Sequence, residues 1–302
     1  MHLRTRTIDW RPTLLRFLML VSLLLAVPIA APVAAQSGDS AYLALGDSVP
    51  FGYSPLLDKQ VAANFIGYPE AVAAALRLPL TNASCPGEAS GGFVSPTGVD
   101  NSCRSYRRAY PLHVAYTAAQ LDVAVAFLRA HPHTQLVTLS IGANDLFVLQ
   151  KGCTAAHPGD MAAIQGCIAT GLPATLDALA TNLATIYGRL RGEGNYRGDL
   201  VAVTYYATDY RGTAAAPISA ADQVVARVTR QYGGTVADGF EAFQRAATSS
   251  GGDVCAAGLL IRKPDGTCDI HPSAAGRDLL AVTILALPVA RQRFLIQRLG
   301  DG

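Results

Sequence analysis

Four short polar segments of the chain carry the groups that acyl transfer requires. GDS at 46–48 supplies a hydroxyl, and the segment around Gly87 supplies backbone N–H groups without side-chain bulk. GAND at 142–145 adds a side-chain amide, and DIHP at 269–272 adds an imidazole close to a carboxylate. Such groups can attack an ester carbonyl and stabilise the oxyanion that forms. The chain therefore carries the candidate groups of a serine esterase.

Each of these groups has an expected role in that chemistry. Ser48 is a weak nucleophile until a base removes its proton, and His271 suits this task because histidine titrates near neutrality. The oxyanion is expected to meet the backbone N–H groups of Ser48 and Gly87 and the side-chain amide of Asn144. Asp269 is the candidate carboxylate that orients His271. An acyl-enzyme mechanism of this kind needs neither a cofactor nor a metal.

The predicted secondary structure places these segments at the edge of a sheet. Short apolar runs predict strands over 41–45, 80–83, 135–141, 200–205 and 235–237. Helical spacing predicts helices over 68–76, 118–130, 175–190, 221–231 and 240–247, and a last helix that begins near Ser273. Alternating strands and helices predict a three-layer α/β/α sandwich with a central, mainly parallel five-stranded sheet. Ligands bind such sheets at the carboxyl ends of the strands, where GDS and GAND stand.

The substrate pocket is less well defined by the sequence. Residues 50–64 and 151–170 are expected to be loops that build it, and they contain no recognisable substrate motif. Three tyrosines, at 205, 206 and 210, follow the fourth predicted strand and could line a cleft or pack in the core. The acyl length of the substrate therefore stays open.

The four segments resemble, in order, the four sequence blocks of the SGNH hydrolases, also called the GDSL esterase/lipase family. The resemblance runs from residue 41 to about residue 276. It implies a flavodoxin-like sandwich with Ser48 as nucleophile, Gly87 and Asn144 as oxyanion donors and His271 as base. It also implies hydrolysis of a carboxylic ester. These implied roles agree with those argued from the residues themselves.

The fourth block departs from the family pattern at the acid. The family's acid stands three residues before the histidine, where this chain has Cys268, and Asp269 stands only two residues before His271. A shift of one residue changes the direction of a side chain. Either Asp269 or a main-chain carbonyl is therefore expected to orient His271.

The first 35 residues have the layout of a secretory signal peptide. Four arginines precede an apolar run over 17–35 that ends in small residues. We expect cleavage near Ala35, which leaves residues 36–302 as a secreted catalytic domain. An uncleaved membrane anchor is the alternative, because the run approaches spanning length, although Pro28 and Pro32 interrupt it. No later segment predicts a stable membrane span.

All six cysteines lie after the expected cleavage site, so an oxidising compartment would pair them. Neighbouring cysteines form the predicted disulfides, which are Cys85 with Cys103, Cys153 with Cys167, and Cys255 with Cys268. A zinc site is the competing interpretation, but no pair has the tight spacing of structural zinc ligands.

Composition and motifs exclude several other function classes. The net charge is +2 and the arginines are scattered, so we expect no nucleic-acid partner. No nucleotide-binding or metal-binding motif occurs, so no cofactor is predicted. We expect a monomeric esterase or lipase that acts on a small-molecule or lipid ester. Alternatives are a carbohydrate acetylesterase, a phospholipase or a thioesterase and, from another class, a non-catalytic secreted binding module.

Overall fold

Five strands form the central sheet, and each coincides with a predicted apolar run. The computed structural model describes residues 40–212 and 215–288. The strands are β1 (Ala41–Gly46), β2 (Leu80–Asn82), β3 (Thr134–Ser140), β4 (Asp199–Val203) and β5 (Thr235–Ala237). They pair in the order β2-β1-β3-β4-β5, and every pair is parallel. Their carboxyl ends therefore share one edge of the sheet.

Helices cover the sheet on both faces. They are α1 (Ser48–Phe51), α2 (Tyr68–Leu76), α3 (Ser90–Val94), α4 (Cys103–Ala109), α5 (Gln120–Ala130), α6 (Ala143–Ala156), α7 (Met161–Arg191), α8 (Ala216–Gln231), α9 (Gly239–Ala246) and α10 (Ala274–Leu285). Short 3-10 turns occur at Ala62–Asn64 and Thr248–Ser250. An antiparallel pair, β6 (Leu260–Arg262) and β7 (Cys268–Pro272), precedes α10 outside the main sheet. As predicted, Ser273 caps α10, because its hydroxyl accepts a hydrogen bond from the Gly276 N–H.

The two faces of the sheet bury different sets of side chains. Leu43 and Leu45 of β1 pack in one core with α5, α7 and α8, while Tyr42 and Ala44 pack in another with α2, α9 and α10. This alternation follows from the two-residue period of a strand. The predicted three-layer α/β/α sandwich is thereby confirmed.

The prediction of a loop over residues 151–170 is wrong, because two helices cover most of this range. α6 continues to Ala156 and α7 begins at Met161, so only a short connection separates the two helices. The Asp160 side chain caps α7 by accepting a hydrogen bond from the Ala163 N–H at 2.9 Å. α7 begins well before the helix predicted over 175–190 and continues through Pro173. This region is therefore a helical hairpin.

The structure joins the cysteines in the predicted couples. The Cα–Cα distances are 5.5 Å for Cys85 and Cys103, 5.7 Å for Cys153 and Cys167, and 5.9 Å for Cys255 and Cys268. The described residues belong to one compact unit. Within residues 40–212 and 215–288, no helix has the length and apolar character needed to cross a membrane. The signal peptide predicted over 1–35 lies outside the described residues.

Candidate active site

Ser48 begins α1, directly after the turn that ends β1. Gly46 makes this turn with a φ of 129°, and a Cβ there would lie 2.0 Å from the Ser140 carbonyl oxygen, so the position requires glycine. The buried side chain of Gln120 holds the turn, because Oε1 accepts from the Gly46 N–H at 2.7 Å and Nε2 donates to the Gly46 carbonyl at 2.9 Å. The Ser48 N–H, as the first of a helix, has no intrahelical acceptor. It is therefore available to a substrate oxyanion.

Gly87 lies in the turn between β2 and α3. Its φ is 83°, and a Cβ there would lie 2.0 Å from the Ser102 hydroxyl oxygen. Its carbonyl accepts hydrogen bonds from the backbone N–H groups of Asn101 at 3.2 Å and Ser102 at 3.1 Å. The disulfide between Cys85 and Cys103 links the two sides of this turn. Both the backbone conformation and the lack of space therefore require glycine at this position.

A buried carboxyl group, Glu88, follows Gly87 and lies beside the same disulfide. Burial raises the pKa of Glu88 to about 8, with Asp100 adding to the rise and Gln120 opposing it by a hydrogen bond. Glu88 also lies close enough to Cys85 and Cys103 for a shared ion. Metals bind thiolates, however, and both sulfurs here belong to one disulfide. The group is thus a buried acid beside a crosslink.

Hydrogen bonds fix both the nitrogen and the oxygen of the Asn144 side-chain amide. Asn144 is buried near the N-terminus of α6, where its Nδ2 donates to Asp47 Oδ2 at 2.8 Å. Its Oδ1 accepts from Asn101 Nδ2 at 2.7 Å, and Lys151 Nζ donates to Asn101 Oδ1 at 2.6 Å. An amide nitrogen carries two hydrogens, so one remains after the bond to Asp47. That hydrogen can meet an oxyanion.

Asp47 is a buried carboxylate that joins the serine turn to the end of β4. The Tyr205 hydroxyl donates to Asp47 Oδ2 at 2.6 Å. Burial raises the pKa of Asp47 to about 6, while hydrogen bonds from Tyr205, Val49 and Asn144 and the nearby His271 oppose the rise. Asp47 is therefore ionised at neutral pH and accepts hydrogen bonds from Tyr205 and Asn144 together.

His271 and Asp269 lie two residues apart on β7. Side chains at this spacing face the same side of a strand, and Asp269 Oδ1 is hydrogen-bonded to His271 Nδ1. The same oxygen accepts from the His271 backbone N–H at 3.0 Å. Burial alone would raise the pKa of Asp269, but the hydrogen bond and charge of His271 outweigh it and lower that pKa. Cys268, at the family's acid position, is bonded to Cys255.

Two tyrosines border the imidazole. The ring of Tyr53 lies 4.8 Å from that of His271, centroid to centroid. The Tyr206 hydroxyl donates to the Ile270 carbonyl at 2.8 Å, which fixes the strand between Asp269 and His271. The His271 side chain is 12% exposed, so its surroundings restrict it while leaving solvent access.

One cavity of about 390 Å³ is lined by three of the predicted side chains, those of Ser48, Asn144 and His271. Asp269 and Gly87 do not line it: Asp269 contacts the imidazole from behind, and Gly87 belongs to the neighbouring turn. The predicted nucleophile, base and amide thus face one space.

Only some of the residues expected to form the substrate pocket line the cavity beside Ser48. Tyr205 and Tyr206 line the cavity, whereas the Tyr210 hydroxyl donates to the Phe240 carbonyl at 2.7 Å. Residues 50–64 do not line it, and several of them border a second cavity of about 210 Å³. Residues from 151–170 contribute Ile168, on a helix rather than a loop.

Sequence reasoning missed four residues that fix the site. Asp47 was noticed only as part of a tripeptide, and Asn101 and Gln120 received no role, although a glutamine within the apolar pattern of α5 was a usable signal. Tyr205 was noticed, but its alternative placements in cleft or core could not be separated. Each of these residues acts by hydrogen bonds to a distant segment, and the partners of those bonds are not revealed by any local pattern.

Residues 44–279 match the model of a protein family described as "GDSL-like Lipase/Acylhydrolase family". No curated protein matches the chain.

Three similar solved structures cover 84% of this chain. A phospholipase A1 from Streptomyces albidoflavus NA297 is 20% identical, with 99% of its own chain covered and a TM-score of 0.54. An extracellular lipase from Streptomyces rimosus is 17% identical, with 99% covered and a TM-score of 0.52. A catalytic mutant of an acetylxylan esterase from Geobacillus stearothermophilus is 14% identical, with 94% covered and a TM-score of 0.50. At these identities the similarity concerns the fold.

Proposed function

The chain belongs to the GDSL-like lipase/acylhydrolase family, and on that premise we propose that it is a secreted serine esterase with Ser48 as nucleophile. A family match over residues 44–279 identifies a carboxylic ester hydrolase. The individual roles of Ser48, His271, Asp269, Gly87 and Asn144 belong to the proposal. They follow from the chemistry of the side chains and from the cavity that three of them share.

In the first half of the reaction, the Ser48 oxygen attacks the ester carbonyl carbon while His271 Nε2 takes the serine proton. The carbonyl oxygen becomes an oxyanion that accepts hydrogen bonds from the backbone N–H groups of Ser48 and Gly87 and from Asn144 Nδ2. The carbon–oxygen bond to the alcohol then breaks, and His271 returns the proton to the departing alcohol. An acyl group remains bound to Ser48.

In the second half, His271 takes a proton from a water molecule that attacks the acyl carbon. The bond to Ser48 breaks, the carboxylic acid leaves and the serine recovers its proton from His271. Asp269 holds the imidazole through Nδ1 in both halves and stabilises its positive charge. The water supplies both the oxygen and the proton that balance the reaction.

The observation that supports this mechanism most strongly is one cavity lined by Ser48, Asn144 and His271, with the far nitrogen of His271 bonded to Asp269. A secreted binding module of the same fold would not need a hydroxyl, an amide and a carboxylate-bound imidazole around one space.

The test is the Ser48→Ala variant, with Ser105→Ala as the matched control because Ser105 is an exposed serine on α4. We expect Ser48→Ala to lose nearly all hydrolysis of p-nitrophenyl butyrate and all labelling by a fluorophosphonate, while the control keeps both. Undiminished hydrolysis by Ser48→Ala would reject the assignment. Absence of any labelling of the native protein would favour the binding module.

Secretion is part of the same proposal. Three disulfides within the described residues fit an oxidising compartment, and the arginine-rich, apolar segment over 1–35 fits a cleaved signal. We expect N-terminal sequencing of the exported protein to begin near Gln36. A mature protein that retains the apolar segment would instead indicate the membrane anchor.

A further inference from the structure

The cavity beside Ser48 extends well beyond the reacting groups, between three helices. Its outer wall is formed by Leu146 and Leu149 of α6, Ile168 and Leu172 of α7, and Ile218 of α8. These side chains are apolar and stand on three helices. The wall therefore offers a built surface for hydrocarbon.

We propose that this space is an acyl-chain site that selects esters of medium-length fatty acids, an inference that rests on the proposed ester hydrolysis. The carbonyl lies at Ser48, and the hydrocarbon chain runs along α6 and α7 towards Ile218. The proposed site therefore defines the acyl part of the substrate, and acetyl esters are not expected to be the preferred substrates.

The size of the cavity favours a chain longer than acetyl. The volume is about 390 Å³, and at about 30 Å³ for each water-sized group the space holds on the order of ten methylene groups with the ester. An acetyl group would leave most of the apolar wall uncovered. A chain of about eight carbons fills the space without extending far outside it.

The charges at the cavity also favour a neutral hydrocarbon. No lysine or arginine is among the described residues that line it. The lining carboxylates are Asp47, which is buried in hydrogen bonds, and Asp209, which is paired with Arg211 at 2.6 Å. A carboxylate or phosphate on the acyl chain would find no lysine or arginine among the described lining residues.

A disulfide fixes the width of the site. Cys153 lies one turn beyond Leu149 on α6, and Cys167 stands next to Ile168 on α7, with a Cα–Cα distance of 5.7 Å between the two cysteines. The bond therefore crosslinks the two helices beside the apolar wall. A wall held in this way discriminates acyl length better than a mobile loop would.

The first experiment measures kcat/KM for p-nitrophenyl esters from acetate to palmitate with the native protein. We expect kcat/KM to rise about fourfold for each methylene that becomes buried, to peak near octanoate and to fall for longer chains. A flat profile, or a maximum at acetate, would overturn the acyl-chain site while leaving ester hydrolysis intact. Absence of turnover with every ester would overturn both proposals.

The second experiment narrows the cavity with the Ile168→Trp variant. Ala169→Trp is the control, because Ala169 is an exposed neighbour on α7 that does not line the cavity. We expect Ile168→Trp to shift the best substrate to a shorter chain, with a Tm near the native value. The control should keep the native profile. The same profile in both variants would refute the site.

Discussion

Removing the Tyr205 hydroxyl tests whether a phenol outside the predicted catalytic set controls the oxyanion donor. Tyr205→Phe keeps the ring in place and deletes one hydrogen bond, the 2.6 Å bond to Asp47 Oδ2. Asp47 is then left with donors from Val49 and Asn144. Because the lost bond stabilised the ionised carboxylate, the pKa of Asp47 should rise further above about 6.

The size of the effect follows from the energy of one hydrogen bond to a charged group. Such a bond contributes about 1.5 to 3 kcal/mol, and each 1.4 kcal/mol corresponds to about one pH unit. The acid limb of kcat that follows the ionisation of Asp47 should therefore move upward by about one to two pH units. At pH 7 a protonated Asp47 would no longer accept from Asn144 Nδ2 as a carboxylate does. Since the role proposed for Asn144 is to stabilise the transition state, kcat should fall while KM changes little.

The assay records kcat and KM for p-nitrophenyl butyrate between pH 5 and pH 9, with Tyr187→Phe as the matched control. Tyr187 is buried like Tyr205, and its hydroxyl is hydrogen-bonded to Thr229 at 2.8 Å in the core, away from the site. Tyr205→Phe should recover activity at high pH, and the control should keep the native limb. An unmoved limb in Tyr205→Phe, or an equal movement in Tyr187→Phe, would refute the reasoning.

Three further results are expected. Asp269→Asn should lower kcat by a factor of about 10⁴, as in the serine protease triad, whereas near-native kcat would assign the orientation of His271 to a main-chain carbonyl. Gly87→Ala should destabilise the protein more than Gly258→Ala, because both positions have a positive φ but only Gly87 lacks space for a Cβ; equal Tm losses would contradict this. Burial raises the pKa of Glu88 from 4.5 to about 8, so the folded protein binds this proton more tightly than the unfolded chain. The free energy of unfolding should therefore fall, relative to Glu88→Gln, by about 3 to 5 kcal/mol as pH rises from 4.5 through 8, and equal pH slopes in denaturant titrations would reject this.

The sheet was predictable from the sequence because each strand is a short apolar run between turns. β1 is buried along its whole length and β3 nearly so, and the apolar residues of AYLAL in β1 and of LVTL in β3 stand out from the polar segments that follow. Ser48 and Asn144 could be located for the same reason, since each begins a helix shortly after such a strand. Local composition thus carries both the fold and the placement of these two residues.

The hydrogen-bond network around Asp47 could not be predicted in this way. Asn144 and Tyr205 lie 97 and 158 residues from Asp47 in the chain, and only the packed sheet brings them together. The pairing of Asp269 with His271 needed the knowledge that β7 is extended, because the same spacing on a helix would separate the two side chains. Neither fact is encoded in a local residue pattern.

The small antiparallel pair has a consequence for how the site assembles. Asp269 and His271 share one face of β7, and the pairing register sets Leu260 opposite Pro272 and Arg262 opposite Cys268. A slip of one residue along β6 would turn the side chains of both Asp269 and His271, the proposed acid and base, away from Ser48, because every side chain of a strand then changes sides. The disulfide between Cys268 and Cys255 restrains this short strand pair at Cys268, the residue opposite Arg262. The proposed acid and base therefore reach their positions together, because one strand carries both.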